Sequence, residues 1–230
     1  MLPEQGISVK QNIMKTPFST EEFFSVFGRY NTLFFPSQIL ILILAIVLLV
    51  LLHNRSKSRH LFTGMFLGAL WIWNGAAYHI ALFSEINSIA KIFGALFILQ
   101  GALIILNSFG KREIHFDLNK GIRGYTAYFL AIFGLIIYPA IGYITGDDII
   151  RTISLGLPCP STIFTFGIFM FASNRLPRYL LIIPSVWAVI GLSAAINFGV
   201  VQDFMLIIAA VSANIFLLKK NNGHFMGMNK

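Results

Sequence analysis

The chain has 230 residues, 57% of them hydrophobic and only 11% charged, with a mean hydropathy of +0.77 and a formal net charge of +8. A soluble domain is typically about 45–50% apolar and about 25% charged, so this composition excludes an ordinary soluble globular protein and specifies an integral membrane protein. Its lysines and arginines stand in short runs between apolar stretches and not on one dense face, so the positive charge reads as a topology signal, and no nucleic-acid partner is expected.

The N-terminal stretch is polar and lacks the basic start and apolar core of a cleaved signal peptide, so membrane helices are expected to direct insertion. Ser19 with Glu22 three residues on forms a capping-box pattern, and Phe23, Phe27, Tyr30 and Phe34 then recur at helical spacing. With Glu21, Glu22 and Arg29 opposing burial, residues 1–35 read as a polar tail followed by an amphipathic helix that lies on the membrane surface or caps the bundle.

A span needs about 20 apolar residues. Seven segments approach this: Pro36 to Leu52, Leu61 to Phe83, Asn87 to Phe109, Tyr125 to Thr145, Ile149 to Ser173, Tyr179 to Gly199 and Asp203 to Leu218. Arg55, Lys57 and Arg59, then Lys111, Arg112, Lys120 and Arg123, then Arg175 and Arg178, then the tail lysines all fall on one side of that arrangement. The expectation is an all-α bundle of seven transmembrane helices over residues 36–218, with the N-terminus outside and a basic cytosolic tail over 219–230. Glu85, Asp147 and Asp148 then belong to the opposite loops, where solvated charge is the expected role, and Asp203 lies on the same side at the start of the last span. Sliding the chain by 116 positions sets Trp71 on Trp187 and Gly75 on Gly191, a weak sign of an internal repeat.

The fifth segment contains LGLPCPSTIFTFG, where Pro158 and Pro160 should interrupt a membrane helix near the midplane and free backbone groups that need partners. Two readings stand side by side: a solute site formed with Cys159, Ser161 and Thr162, or a kink satisfied by its own hydroxyls. In the second span Trp71, Asn74 and Tyr78 share a face, and His79 lies toward the outer end. Topology puts Asn74 at the depth of the break, where Gln100 of the third span and Ser212 or Asn214 of the seventh can join it. Interhelical hydrogen-bond glue is the competing role for each. Cys159 and His79 fall short of the three or four donors a metal site requires, so no metal or other cofactor is expected. His79 as a proton carrier or catalytic group is a further alternative. Gly64 with Gly68, Gly94 with Gly101 and Gly142 with Gly146 are spaced for close helix packing.

A retinal-binding lysine is missing from the last span, as are the histidine and acid set of a membrane zinc hydrolase and the GxSxG, HExxH and phosphate-loop patterns. The stretches WIWNGAAYHIALFSEIN, KIFGALFILQGAL, GLPCPSTIFTFG and RYLLIIPSVWAVIGLSAA resemble a family of bacterial multi-pass membrane proteins catalogued only as a domain of unknown function. That resemblance implies a bacterial cytoplasmic (inner) membrane and supplies no activity. The expectation is a small permease-like protein for a small polar or ionic solute. A structural or regulatory membrane protein and a membrane enzyme using His79 are the alternatives, with the lipid bilayer as surroundings and a homo-oligomer allowed.

Overall fold

The computed structural model describes residues 17–110, 113–145, 148 and 150–227, with side chains through residue 218, and among them it is all-helical, its only bridges being two isolated ones. The polar tail before residue 17, Lys111, Arg112, Gly146, Asp147 and the side chains of the basic tail lie outside the described residues.

Helix α1 (Thr20–Leu33) starts where its capping box dictates. The Ser19 hydroxyl accepts from the Glu22 amide at 3.2 Å, while the Glu22 carboxylate accepts from the Ser19 amide at 2.7 Å. Phe23, Val26, Phe27 and Tyr30 are buried, so α1 caps one end of the bundle. Two bidentate ion pairs fasten it there: Arg29 to Glu85 at 2.6 and 3.1 Å, and Arg151 to Glu21 at 2.8 and 3.2 Å. Glu85 is therefore an anchor for α1 and not a free loop charge.

The remaining helices are α2 (Phe35–His53), α3 (Arg59–Trp73), α4 (Ala90–Leu106), α5 (Ile122–Ile132), α6 (Tyr138–Ile144), α7 (Pro158–Phe169), α8 (Ile182–Phe198) and α9 (Phe204–Gly227). Two of them run on into π-helical turns, α3 over Asn74–Ile80 and α5 over Phe133–Ile137. Five stretches are long and apolar enough to cross a membrane: Phe35–His53, Arg59–Glu85, Ile122–Ile144, Arg178–Phe198 and Val201–Leu218. Their outward Leu, Ile, Val and Phe side chains, such as Leu40, Ile43, Val189 and Ile208, suit contact with a lipid bilayer. At 17 residues, α4 falls just short.

The fifth expected span departs most from expectation. Only Pro158–Phe169 is helical, 12 residues or about 18 Å, preceded by an extended approach through Leu157. Pro158 stands in the first turn with Leu157 at φ −102° and ψ 154°, the extended conformation a residue before proline prefers. Pro160 falls in the same turn, where amide donors have no intrahelical acceptor, so neither proline breaks an existing helix. The expected midplane break is thus a helix start. Apart from part-exposed Cys159, every residue from Pro158 to Ala172 is buried, which fits a helix apolar on all sides and surrounded by others.

Candidate functional site

Helix α7 is latched to α3 by side chains the sequence singles out. Asn74 Nδ2 donates to the Leu70 carbonyl at 2.7 Å and to Ser161 Oγ at 3.3 Å. Trp71 Nε1 donates to Thr165 Oγ1 at 3.0 Å, and that hydroxyl donates to the Ser161 carbonyl at 2.7 Å. Thr162 donates to the Pro158 carbonyl at 2.8 Å, within its own helix. Gly156 is closed from both sides: its amide donates to Ser161 Oγ at 3.1 Å, and its carbonyl accepts from the Tyr30 hydroxyl at 2.8 Å. At φ +106°, with Ile41 and Tyr30 3.1 Å from where a Cβ would stand, Gly156 is confined to glycine. Both backbone groups of Gly156 and the Pro158 carbonyl therefore have protein partners.

Other candidates lie elsewhere. Gln100 Nε2 donates to the Leu180 carbonyl at 2.9 Å and so joins α4 to the start of α8. Asn214 ties α9 to α8 through Ser185 Oγ at 2.9 Å. His79 is fully buried, both ring nitrogens without a hydrogen-bond partner, with ring centroids 4.6 Å from Phe97 and 4.9 Å from Trp187. That enclosure offers a proton no route through hydrogen-bonded neighbours. The buried Asn74 Oδ1 and Gln100 Oε1 also lack partners.

A cavity of about 120 Å³ lies beneath α1 and reaches the start of α7. Pro158 and Cys159 border it at that helix start, Tyr78 comes from the π turn, Trp187 and Gly191 from α8, and Asp203 from the turn before α9. Phe18, Phe23 and Phe27 cover it together with Phe83 and Phe198. The cover is itself packed: Phe23 stacks on Phe198 at 4.3 Å between centroids, and Tyr78 stacks on Phe83 at 5.4 Å. The π turn matters here, because the wider coil through Ala76 and Ala81, marked by the hydrogen bond between them, sets the bearing of Tyr78 and His79.

Asp203 is the polar centre of the cavity and is absent from the sequence-based candidates. It is 1% exposed, accepts a hydrogen bond from the Tyr138 hydroxyl, and has the Cys159 thiol as its other hydrogen-bonded neighbour. Trp187 Nε1 stands beside the Cys159 sulfur but has no hydrogen-bond partner of ordinary length. From the sequence alone Asp203 counts only among the opposite-side charges, at the outer start of the last span. The sign of its burial is the shortness of the connection: α8 ends at Phe198, Gly199 turns at φ +75°, and α9 starts at Phe204, too few residues to lift a side chain clear of the bundle. Among the described residues no group of three or more His, Cys, Asp or Glu side chains converges as a metal site would require.

Of the expected site residues, Tyr78 and Cys159 line the cavity, whereas Trp71, Asn74, Ser161 and Thr162 stand in the latch and about the helix start, and His79 and Gln100 sit in separate buried positions. No curated protein and no solved structure matches the chain. A family model covering residues 20–226 does match, from the first turn of α1 through the latch, the cavity wall and Asp203, and the chain belongs to that family of unknown function, DUF6064.

Proposed function

We propose that the protein is a small permease-like membrane protein that takes a small polar or ionic solute into the cavity under α1. One observation carries this reading: the cavity meets the start of a buried helix and holds a buried carboxylate, and an ionisable group at membrane depth marks a functional site. Seven spans follow if α4 and α7 with its extended approach are added to the five long stretches. Non-helical backbone at that depth is tolerated where protein encloses it, as it encloses Leu155, Gly156 and Leu157. The loop charges put α1 and the cavity on the outer side of the cytoplasmic membrane. Tyr78, Cys159, Trp187 and Asp203 face the solute, Trp71, Asn74, Ser161 and Gln100 hold the helices behind them, and Thr162 closes the first turn of α7.

The test is solute flux in proteoliposomes across a panel of small polar and ionic compounds. Asp203→Asn should abolish the flux of whichever compound moves, while Asn74→Ala and Thr162→Val lower stability and leave the transport rate of the folded fraction unchanged. A non-transporting, solute-binding role is the second reading, favoured by the two ion pairs that hold α1 over the cavity. Saturable binding without flux would decide for it. An enzyme built on His79 gains nothing from the geometry, since that ring is sealed among aromatic side chains.

A further inference from the structure

We infer that the ligand of this cavity is a small organic ammonium ion, held between the Asp203 carboxylate and the faces of the surrounding aromatic rings. The inference rests on the proposal above that the cavity is a solute site. Its first support is charge. Buried ionised groups are found paired or bound to metal, because an isolated charge in a low-dielectric interior is costly. The polar neighbours of Asp203, Tyr138 and Cys159, are neutral, and among the described residues no lysine, arginine or histidine lines the cavity. A cationic ligand supplies the partner that an ionised Asp203 requires, and among the described residues no group of the wall pairs with an anion.

The chemistry of the wall then separates one kind of cation from another. Calcium and magnesium take six or more oxygen ligands, and transition metals take three or four donors, whereas among the described residues no three His, Cys, Asp or Glu side chains converge here. Eight of the lining residues are aromatic, among them Phe18, Phe23, Phe83, Trp187 and Phe198. Aromatic rings attract a weakly hydrated cation, and aromatic-lined sites recognise methylated ammonium groups. A sugar or other neutral polar solute would need many hydrogen-bond partners, whereas the described wall adds only a few polar groups, Asn87 and Ser193 among them, to Asp203.

Volume sets the size. An engineered cavity of roughly 150 Å³ holds benzene, so about 120 Å³ admits a ligand of about five or six non-hydrogen atoms. Tetramethylammonium is of that size, and tert-butanol is its neutral counterpart of the same shape.

The experiment is titration calorimetry on the full chain in lipid nanodiscs, with tetramethylammonium chloride and tert-butanol as probes at matched ionic strength. The expected result is that tetramethylammonium binds at least about tenfold tighter than tert-butanol, and that Asp203→Asn weakens it by about tenfold or more while tert-butanol is unchanged. Phe83→Leu keeps the charge and removes one ring, and should weaken tetramethylammonium by about two- to fivefold. If Asp203→Asn does not fold, the two probes on the natural chain and Phe83→Leu still decide. Binding of tert-butanol as tight as that of tetramethylammonium, or ammonium binding that neither substitution alters, overturns the ammonium assignment and leaves the cavity as a site for something else. No binding of either probe overturns both the assignment and the solute site beneath it.

Discussion

Tyr30 shows how much a single side chain decides in this fold. Its hydroxyl donates to the Gly156 carbonyl at 2.8 Å and accepts from Trp73 Nε1 at 2.6 Å, so α1, α3 and the approach to α7 meet on one oxygen. Tyr30→Phe leaves a buried carbonyl and an indole N–H without partners and should cost about 2–6 kcal/mol, at about 1–3 kcal/mol for each orphaned group. Reversible unfolding in mixed micelles measures it, and an unchanged transition would show that another donor takes over. At this scale the sequence was partly legible. The loop charges suggested a similar depth for the proline pair and Asn74, and in the structure Asn74 meets Ser161. Gln100 was misplaced because its partner is a carbonyl at the 3₁₀ turn Arg178–Leu181, which has no side-chain signature. Asp203 was missed because burial of an acid at the end of a span depends on how tightly the chain turns there.

The closest helix pairing is between α3 and its π turn on one side and α4 on the other. A Cβ at Gly101 would stand 2.4 Å from the Gly68 carbonyl, and one at Gly75 would stand 2.6 Å from the Gly94 carbonyl. Small residues let the two backbones approach with no driving force beyond packing, as membrane helices require. Because the obstructing atom is backbone, Gly101→Ala should cost about 3 kcal/mol, the upper end of the range for overpacking, and Gly110→Ala, whose site has open space but φ +66°, should cost less. Unfolding of the two variants side by side checks the order. Glycine spacing was visible in the sequence as a packing signal, although it could not tell which glycines would oppose each other. The π turns left no such trace, since they arise from packing: Gly134, inside the second, lies against the Pro160 carbonyl of α7. The prolines marked an irregularity in this segment; that both stand in the first turn of α7 was not legible, because two prolines there look the same in sequence as two prolines interrupting a helix.

At the scale of the whole molecule, two sets of ion pairs fasten the opposite ends of the bundle and answer to different conditions. Arg29 with Glu85 and Arg151 with Glu21 hold α1 over the cavity, and all four side chains are well exposed, so salt screens them. Raising sodium chloride from low to molar concentration should speed amide exchange in α1 while leaving α7 protected; equal protection of α1 at both would show that its buried aromatic face alone holds it. At the other end Arg59 meets Asp117 at 2.6 Å. Partial burial pushes the Asp117 carboxyl up, but hydrogen bonds from Ser173 and Arg59 outweigh it and hold the pKa below the ordinary 3.8. A depressed folded value means that its contribution is fully present above the unfolded pKa of about 3.9 and is lost as pH falls through the folded value. The difference in thermal midpoint between the natural chain and Asp117→Asn should therefore be constant from pH 7 to about 5 and shrink below about 4. The central claim, a cation-selective cavity under α1, has a reporter built in, because Cys159 is the chain's single cysteine and lines that cavity. The most direct measurement is the rate at which Cys159 is modified by methanethiosulfonate reagents bearing an ammonium or a sulfonate group, followed by intact-mass spectrometry. The account predicts faster modification by the ammonium reagent, slowing by tetramethylammonium, and acceleration of that rate when Glu21→Gln and Glu85→Gln loosen α1; equal rates for both charges, indifferent to tetramethylammonium and to α1, would contradict it.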